Sequence, residues 1–182
     1  MIIVNLKGGM GNQMFQYALG RALAIKNKNE FKMDLTYLKE GQPKSPDHTF
    51  RVYDLGIFNV KENFATKRDL EYFYSRSTAK QILNHLLPKY FPRNNIIYDK
   101  DSYVFNPEIL EQKGNLYLDG YWQTDKYFES IGPLIRREFT FRKNFDAKNQ
   151  QLASEISNNN SVCLNVRRAD YVKIAHMTKH HG

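Results

Sequence analysis

Apolar residues fill positions 2–4 and 6, give way to a glycine-rich stretch at 7–13, then recur at three- and four-residue spacing. Ile2 to Leu6 reads as a short buried strand. Met14, Ala18, Ala22 and Ile25, with Phe15, Leu19 and Leu23 beside them, predict one apolar face of a helix. Asn27-Lys28-Asn29 stops that helix, and Phe31 to Leu35 alternates as a second strand. Strand, tight turn, helix, strand is a βαβ unit, which predicts an α/β fold on a parallel sheet.

Further along, residues 40–50 hold two prolines and several turn-formers, and read as a surface loop. Thr66 with Asp69 approximates a capping box ahead of a helical stretch running to Pro88. Residues 94–99 (NNIIYD) and 115–122 (NLYLDGYW) are strand candidates. A helix is expected from Thr124, bent or broken at Gly132-Pro133. A short amphipathic helix follows over 145–156 and stops at Asn158-Asn159-Asn160, the best place for a domain boundary. Beyond it Val162, Leu164 and Val166 alternate as a strand that runs directly into Arg167-Arg168-Ala169-Asp170.

Composition narrows the class. Hydrophobic residues at 41% and charged residues at 25% are ordinary for a soluble globular chain of 182 residues. No apolar run is long enough to span a membrane, and the N-terminal residues lack the basic leader of a signal peptide. The single cysteine, Cys163, permits no internal disulfide, which fits a reducing, cytoplasmic setting. A net charge of +8 fits an anionic partner, whether phosphate-bearing small molecule, membrane surface or nucleic acid. The aromatics fall mostly at apolar helix and strand positions, so packing explains them better than base stacking does, and nucleic acid is the alternative set aside.

The glycine turn Gly8-Gly9-Met10-Gly11-Asn12-Gln13 matches no standard phosphate loop: no Lys-Ser/Thr follows, and Met14 stands where a dinucleotide fingerprint wants a small residue. A structural bend and a polar ligand contact through Asn12 and Gln13 both remain open. Arg167 and Arg168 stand just past a strand, where open α/β sheets collect ligands, and guanidinium forks suit phosphate oxygens. Asp170 is placed to orient one of them. Asp99-Lys100-Asp101 could hold a divalent cation, but an Asp-rich turn accounts for so short a pattern. His176, His180 and His181 read as a basic tail rather than a metal site.

Three stretches together, KGGMGNQMFQYALGRALA (7–24), NLYLDGYWQTDKYF (115–128) and SVCLNVRRADYV (161–172), resemble the bacterial α-1,2-fucosyltransferases, glycosyltransferase family 11. The resemblance implies a GT-B architecture: a Rossmann-like, acceptor-side N-terminal domain over 1–157, and over 161–182 the start of a GDP-sugar-binding second domain. It implies inverting, metal-independent transfer of L-fucose from GDP-fucose to a galactose hydroxyl of a surface glycan such as an O-antigen repeat, with no bound cofactor. Arg167, Arg168 and Asp170 fall on the family's His-x-Arg-Arg-x-Asp motif; the two arginines would carry the negative charge of the departing diphosphate, and Asp170 would orient or balance them. Gly11, Asn12, Gln13 and Asn165 would join them on the donor. Asn165 stands where the motif has histidine, and Ala169 where it has glycine. Family members continue well past this motif, so an inactive fragment is the alternative expectation. Lipid-linked acceptors would bring such an enzyme to the inner membrane surface.

Overall fold

The computed structural model describes residues 1–45, 48–74, 94–99, 101 and 104–166. Two compact units divide the chain: Met1–Gln42 with Arg51–Thr140, and Pro43–Phe50 with Phe141–Gly182. The first holds a four-stranded, all-parallel sheet of order β2-β1-β4-β3. Its strands are β1 (Ile2–Asn5), β2 (Phe31–Asp34), β3 (Asn94–Tyr98) and β4 (Asn115–Asp119), each at a position that the hydropathy pattern predicts.

The two faces follow the twofold alternation of a strand. Ile2 and Val4 pair in register with Leu116 and Leu118, and this face joins Tyr17, Leu19 and Leu23 of α1 (Met10–Lys26) in the main core. Ile3 and Tyr117 point the other way, where Phe73 of α2 (Lys67–Tyr74) covers them. Central parallel strands are buried on both sides, which is why β1 shows no polar position until Asn5.

The capping box at α2 forms as expected. Thr66 N and Oγ1 each donate to Asp69 Oδ2 at 2.8 Å, and Asp69 N donates back to Thr66 Oγ1 at 3.2 Å. Helix α1 departs from the expected single face. Ile25 is 41% exposed, whereas Gln13, Gln16 and Gly20 are buried along with the apolar residues. Hydropathy spacing cannot register a buried glutamine whose amide is fully bonded.

The expected helix from Thr124 is also corrected. Two single 3₁₀ turns, Asp125–Tyr127 and Glu129–Ile131, precede α3 (Gly132–Glu138), so Gly132-Pro133 begins a helix instead of breaking one. Proline suits the first turn, because its fixed φ is helical and its missing N–H would have had no partner there. Glu138 then ties α3 to α1: it accepts from Arg21 Nη2 at 2.6 Å, Arg21 Nε at 3.1 Å and the Tyr17 hydroxyl at 2.6 Å. Burial, and next the bond to Glu138, push the Tyr17 hydroxyl far above the ordinary tyrosine range.

In the second unit α4 (Ala147–Ser157) starts at Asp146, whose Oδ1 caps Asn149 N at 2.8 Å. The helix buries no residue, and its apolar Leu152 and Ile156 are about half exposed. The expected strand at 162–166 does not form. Among the described residues it pairs with no strand, and Val162 is 96% exposed. A strand acquires its conformation from a ladder partner and a surface to pack on, and alternation alone supplies neither. The remainder of the predicted helix towards Pro88 lies outside the described residues.

Candidate functional site

In open α/β sheets ligands collect beyond the carboxyl ends of the strands. Here those ends bring together Asn5 and Lys7 from β1, Asp34 from β2, Asp99 from β3, and Asp119 to Gln123 from β4. The first turn of α1 joins them. Gly8 has φ +77°, a conformation that glycine adopts freely, and a Cβ there would press on the Asn12 side chain. Among the described residues no side chain caps α1 at Gly9, so its first backbone N–H groups are open to an anion there.

Two buried glutamines lock this region, and hydropathy marks neither as structural. Gln13 Nε2 donates to Gly8 O at 3.0 Å and Val52 O at 2.7 Å, while its Oε1 accepts from Asp54 N at 2.9 Å. Gln16 Nε2 donates to Lys7 O at 3.1 Å and Gly120 O at 3.0 Å, and its Oε1 accepts from Lys7 N at 3.0 Å. Gln16 therefore fastens the β1 turn to the end of β4. Glutamine is close in volume to leucine or methionine yet carries two amide donors and a carbonyl acceptor, and each of these two uses three hydrogen bonds to pin loops whose backbone groups would otherwise be unpaired.

Of the predicted site residues, Gln13 is fully buried and committed to backbone partners. Asn12 is half-buried, and its Oδ1 accepts from Gln123 Nε2 at 2.7 Å, so these two amides form one polar group at the strand ends. Gly11 is exposed and has open space where a Cβ would stand. Asn165 is exposed in the second unit. Arg167, Arg168 and Asp170, together with the three C-terminal histidines, lie outside the described residues.

The strand-end carboxylates divide by task. Asp34 is almost fully buried and accepts from Thr36 N at 2.8 Å, Thr36 Oγ1 at 2.6 Å and the Tyr117 hydroxyl at 2.7 Å. Burial first, then bonds with Tyr74 and Asp34, hold the Tyr117 hydroxyl protonated far above its ordinary range. Asp99 Oδ2 accepts from Tyr121 N and Trp122 N, both at 3.1 Å. That carboxylate braces a tight turn in which Trp122 adopts φ +55°, a conformation that costs a bulky residue about 1–3 kcal/mol. Gly120 lies so close to Asp99 that no Cβ could fit. Asp99, engaged in this way, has a structural account, and no group of three or more metal-ligating side chains occurs among the described residues.

Asp119 differs. Its Oδ1 receives Lys7 Nζ in a salt bridge and Asn5 Nδ2 at 3.3 Å, and the carboxylate remains about a quarter exposed. Lys7 Nζ also sits 5.3 Å from the centre of the Tyr121 ring. Beneath them Asn5 Oδ1 is enclosed with no partner among the described residues, as is Trp122 Nε1. Orphaned buried polar atoms are uncommon and concentrate where structure serves another purpose. Carboxylate, amide, ammonium and aromatic face in one place can hold a polar ligand by its hydroxyl groups.

Among the described residues no helix is long and apolar enough to cross a membrane. No protein-family model matches the chain. No solved structure matches it either. Two curated relatives from Escherichia coli do. One, named alpha-1,2-colitosyltransferase, is 28% identical over 186 residues, covering 100% of this chain and 59% of that protein. The other, named O-antigen biosynthesis glycosyltransferase WbnK, is 27% identical over 200 residues, covering 97% of this chain and 62% of that protein. The chain thus spans about three-fifths of the length of these relatives. With motifs and relatives in agreement, it is similar to bacterial glycosyltransferases of the family 11 kind.

Proposed function

We propose that the chain is the acceptor-side part of a GT-B glycosyltransferase that transfers L-fucose, or a related sugar, from a GDP-sugar to a galactose hydroxyl during O-antigen assembly. The observation that carries this reading is the alignment of essentially the whole chain with two bacterial glycosyltransferases, one named for an α-1,2 linkage and one for O-antigen biosynthesis. A relative named for colitose keeps the α-1,2 linkage while changing the sugar, so the linkage transfers to this chain more readily than fucose does.

Chemically, the step is inversion at the sugar's anomeric carbon. Negative charge grows on the departing diphosphate, and fixed cationic donors lower that barrier most effectively. Arg167 and Arg168 take this role, with Asp170 orienting them. Asn165, Gly11, Asn12 and the uncapped first turn of α1 contribute donor contacts, while Gln13 holds the turn. A donor that brings no metal fits the motif, because the arginines supply the positive charge. The basic balance of +8 favours both the diphosphate and an anionic inner-membrane surface where lipid-linked acceptors reside.

Thermal unfolding of the purified chain with GDP, and with UDP and CMP as controls, tests the donor assignment. A true site filled to a hundred times its Kd adds about 2.7 kcal/mol. A GDP-selective rise that disappears in Arg167→Ala is expected. Equal rises with all three nucleotides, or no rise together with no transfer from GDP-fucose, would refute donor binding by this chain.

A further inference from the structure

We propose that Asp119 receives the acceptor sugar: its Oδ2 takes the hydrogen bond of the attacking hydroxyl and then its proton. Asn5 and Lys7 lie beneath this carboxylate and Tyr121 beside it. The inference rests on the transferase reading above and names a group that the arginine motif does not supply.

The geometry singles out this carboxylate in three ways. First, it stands at the carboxyl end of β4 beside β1, the two central strands of the sheet. Second, Lys7 and Asn5 both hold Oδ1, which fixes the plane of the carboxylate, while Oδ2 has no partner among the described residues. A proton acceptor must be held in one orientation and still present a lone pair outward, and this arrangement does both. Third, the neighbouring carboxylates have other duties: Asp34 is buried under Thr36 and Tyr117, and Asp99 carries the backbone of Tyr121 and Trp122.

The surroundings suit a sugar. A pyranose offers hydroxyl groups around its rim and a C–H face, and it is recognised by a few placed polar groups beside an aromatic surface. Asp119, the Asn12–Gln123 amide pair and the Tyr121 ring supply these in adjoining positions of β4 and α1. The turn that presents them is stiff, because Gln16 ties Gly120 to Lys7 and Asp99 ties residues 121 and 122.

The step balances without a further reagent. The acceptor oxygen forms a bond to the anomeric carbon of the nucleotide-activated sugar. The bond from that carbon to the diphosphate oxygen breaks, and its electron pair leaves with the nucleoside diphosphate. The hydroxyl proton passes to Asp119 Oδ2 and from there to water.

Lactose, a galactose-terminated probe, is titrated into the ¹⁵N-labelled chain, alongside Asp119→Asn and Tyr121→Ala. Shifts are expected at Asn5, Lys7, Asp119 and Tyr121. Loss of the charged acceptor should weaken binding about tenfold or more in Asp119→Asn. Unchanged amide dispersion elsewhere verifies that this variant is folded, and Tyr121→Ala, which keeps the carboxylate, should weaken binding independently. Lactose bound by Asp119→Asn within twofold of the parent, shifts confined to other residues, or no shift at all would overturn the proposal. Turnover with GDP-fucose separates it from the reading it rests on. At saturating acceptor Asp119→Asn should be about a hundredfold slower or worse, as expected when a general base is lost. Lactose shifts at these residues without any sugar transfer refute the transferase reading of this chain and leave the subsite standing. Transfer undiminished in Asp119→Asn refutes the inference and leaves the transferase reading intact.

Discussion

Replacing Gln16 by leucine should cost this chain a large share of its stability, although glutamine to leucine is a favourable exchange by hydropathy. Gln16 is fully buried, and its amide serves Lys7 N, Lys7 O and Gly120 O at 3.0–3.1 Å. Leucine keeps most of the volume and leaves those three backbone groups without their partner. A buried polar group stripped of its bond costs about 1–3 kcal/mol. The two Lys7 groups lie near the surface, where water reaches them, and fall at the low end, while the buried Gly120 carbonyl falls higher. The total is about 3–5 kcal/mol, against about 5–15 kcal/mol for a typical domain. Urea unfolding reads this as a midpoint lowered by about 2 M for an m-value near 2 kcal/mol/M. Gln16→Glu sharpens the test. It keeps the acceptor for Lys7 N but sets a carboxylate against two carbonyl oxygens, which favours its protonated form in the folded state. A raised folded pKa means stability present below the unfolded value of about 4.3 and lost as pH rises. The Glu variant should therefore gain on the parent as pH falls. A loss below about 1 kcal/mol in Gln16→Leu at unchanged m, or identical pH profiles for parent and Gln16→Glu, would refute the bracing role.

The remaining predictions concern neighbouring contacts. Gly120→Ala places a methyl group against Asp99 Cβ and 2.9 Å from Trp122 Cε2, so it should cost about 1–3 kcal/mol and alter the near-ultraviolet dichroism of the single tryptophan; an unchanged spectrum and midpoint would count against the tight turn. Burial raises the Asp69 carboxyl pKa, but bonds from Thr66 and Lys32 outweigh it and leave the net shift downward. Its contribution is present above about pH 4 and lost as pH falls below that, so Asp69→Asn should flatten the acid limb of the stability profile, as followed by thermal midpoints. Tyr117 is shifted upward, so its contribution is present below about pH 10 and lost above it; Tyr117→Phe should be less stable at neutral pH and show a shallower alkaline decline.

Features set by near neighbours along the chain are legible in the sequence. The βαβ unit, β3 and β4 stand out as apolar runs, and Thr66 with Asp69 stands out as a cap because its partners are three residues apart. Features set by distant partners are not legible in this way. Gln16 bonds Gly120 across 104 residues and Gln13 bonds Val52 across 39, so nothing in their local setting marks them as buried. The same holds for Asp119: DGYW reads as the end of a strand, and its pairing with Lys7 spans 112 residues. At 162–166 the mismatch runs the other way, because alternation suggests a strand where no described partner exists. Gly132-Pro133 misleads through ambiguity, since the pair that ends one helix also opens another.

The division of labour at the strand ends follows from charge. A polypeptide that must hold several loops together there could use ion pairs, but each buried charge would require a counter-charge and add to the local field. Neutral amides avoid this. Gln13 and Gln16 satisfy six backbone contacts between them while adding no net charge, so the charge at the mouth of the sheet is left to groups such as Lys7, Asp34, Asp99, Asp119 and the positive end of α1. An anionic donor and a hydroxyl-bearing acceptor demand opposite things of such a mouth, positive character for one and a proton acceptor for the other. Under the proposed reading the uncapped helix start would meet the first demand and Asp119 the second, and Gln16 joins the two turns that bear them.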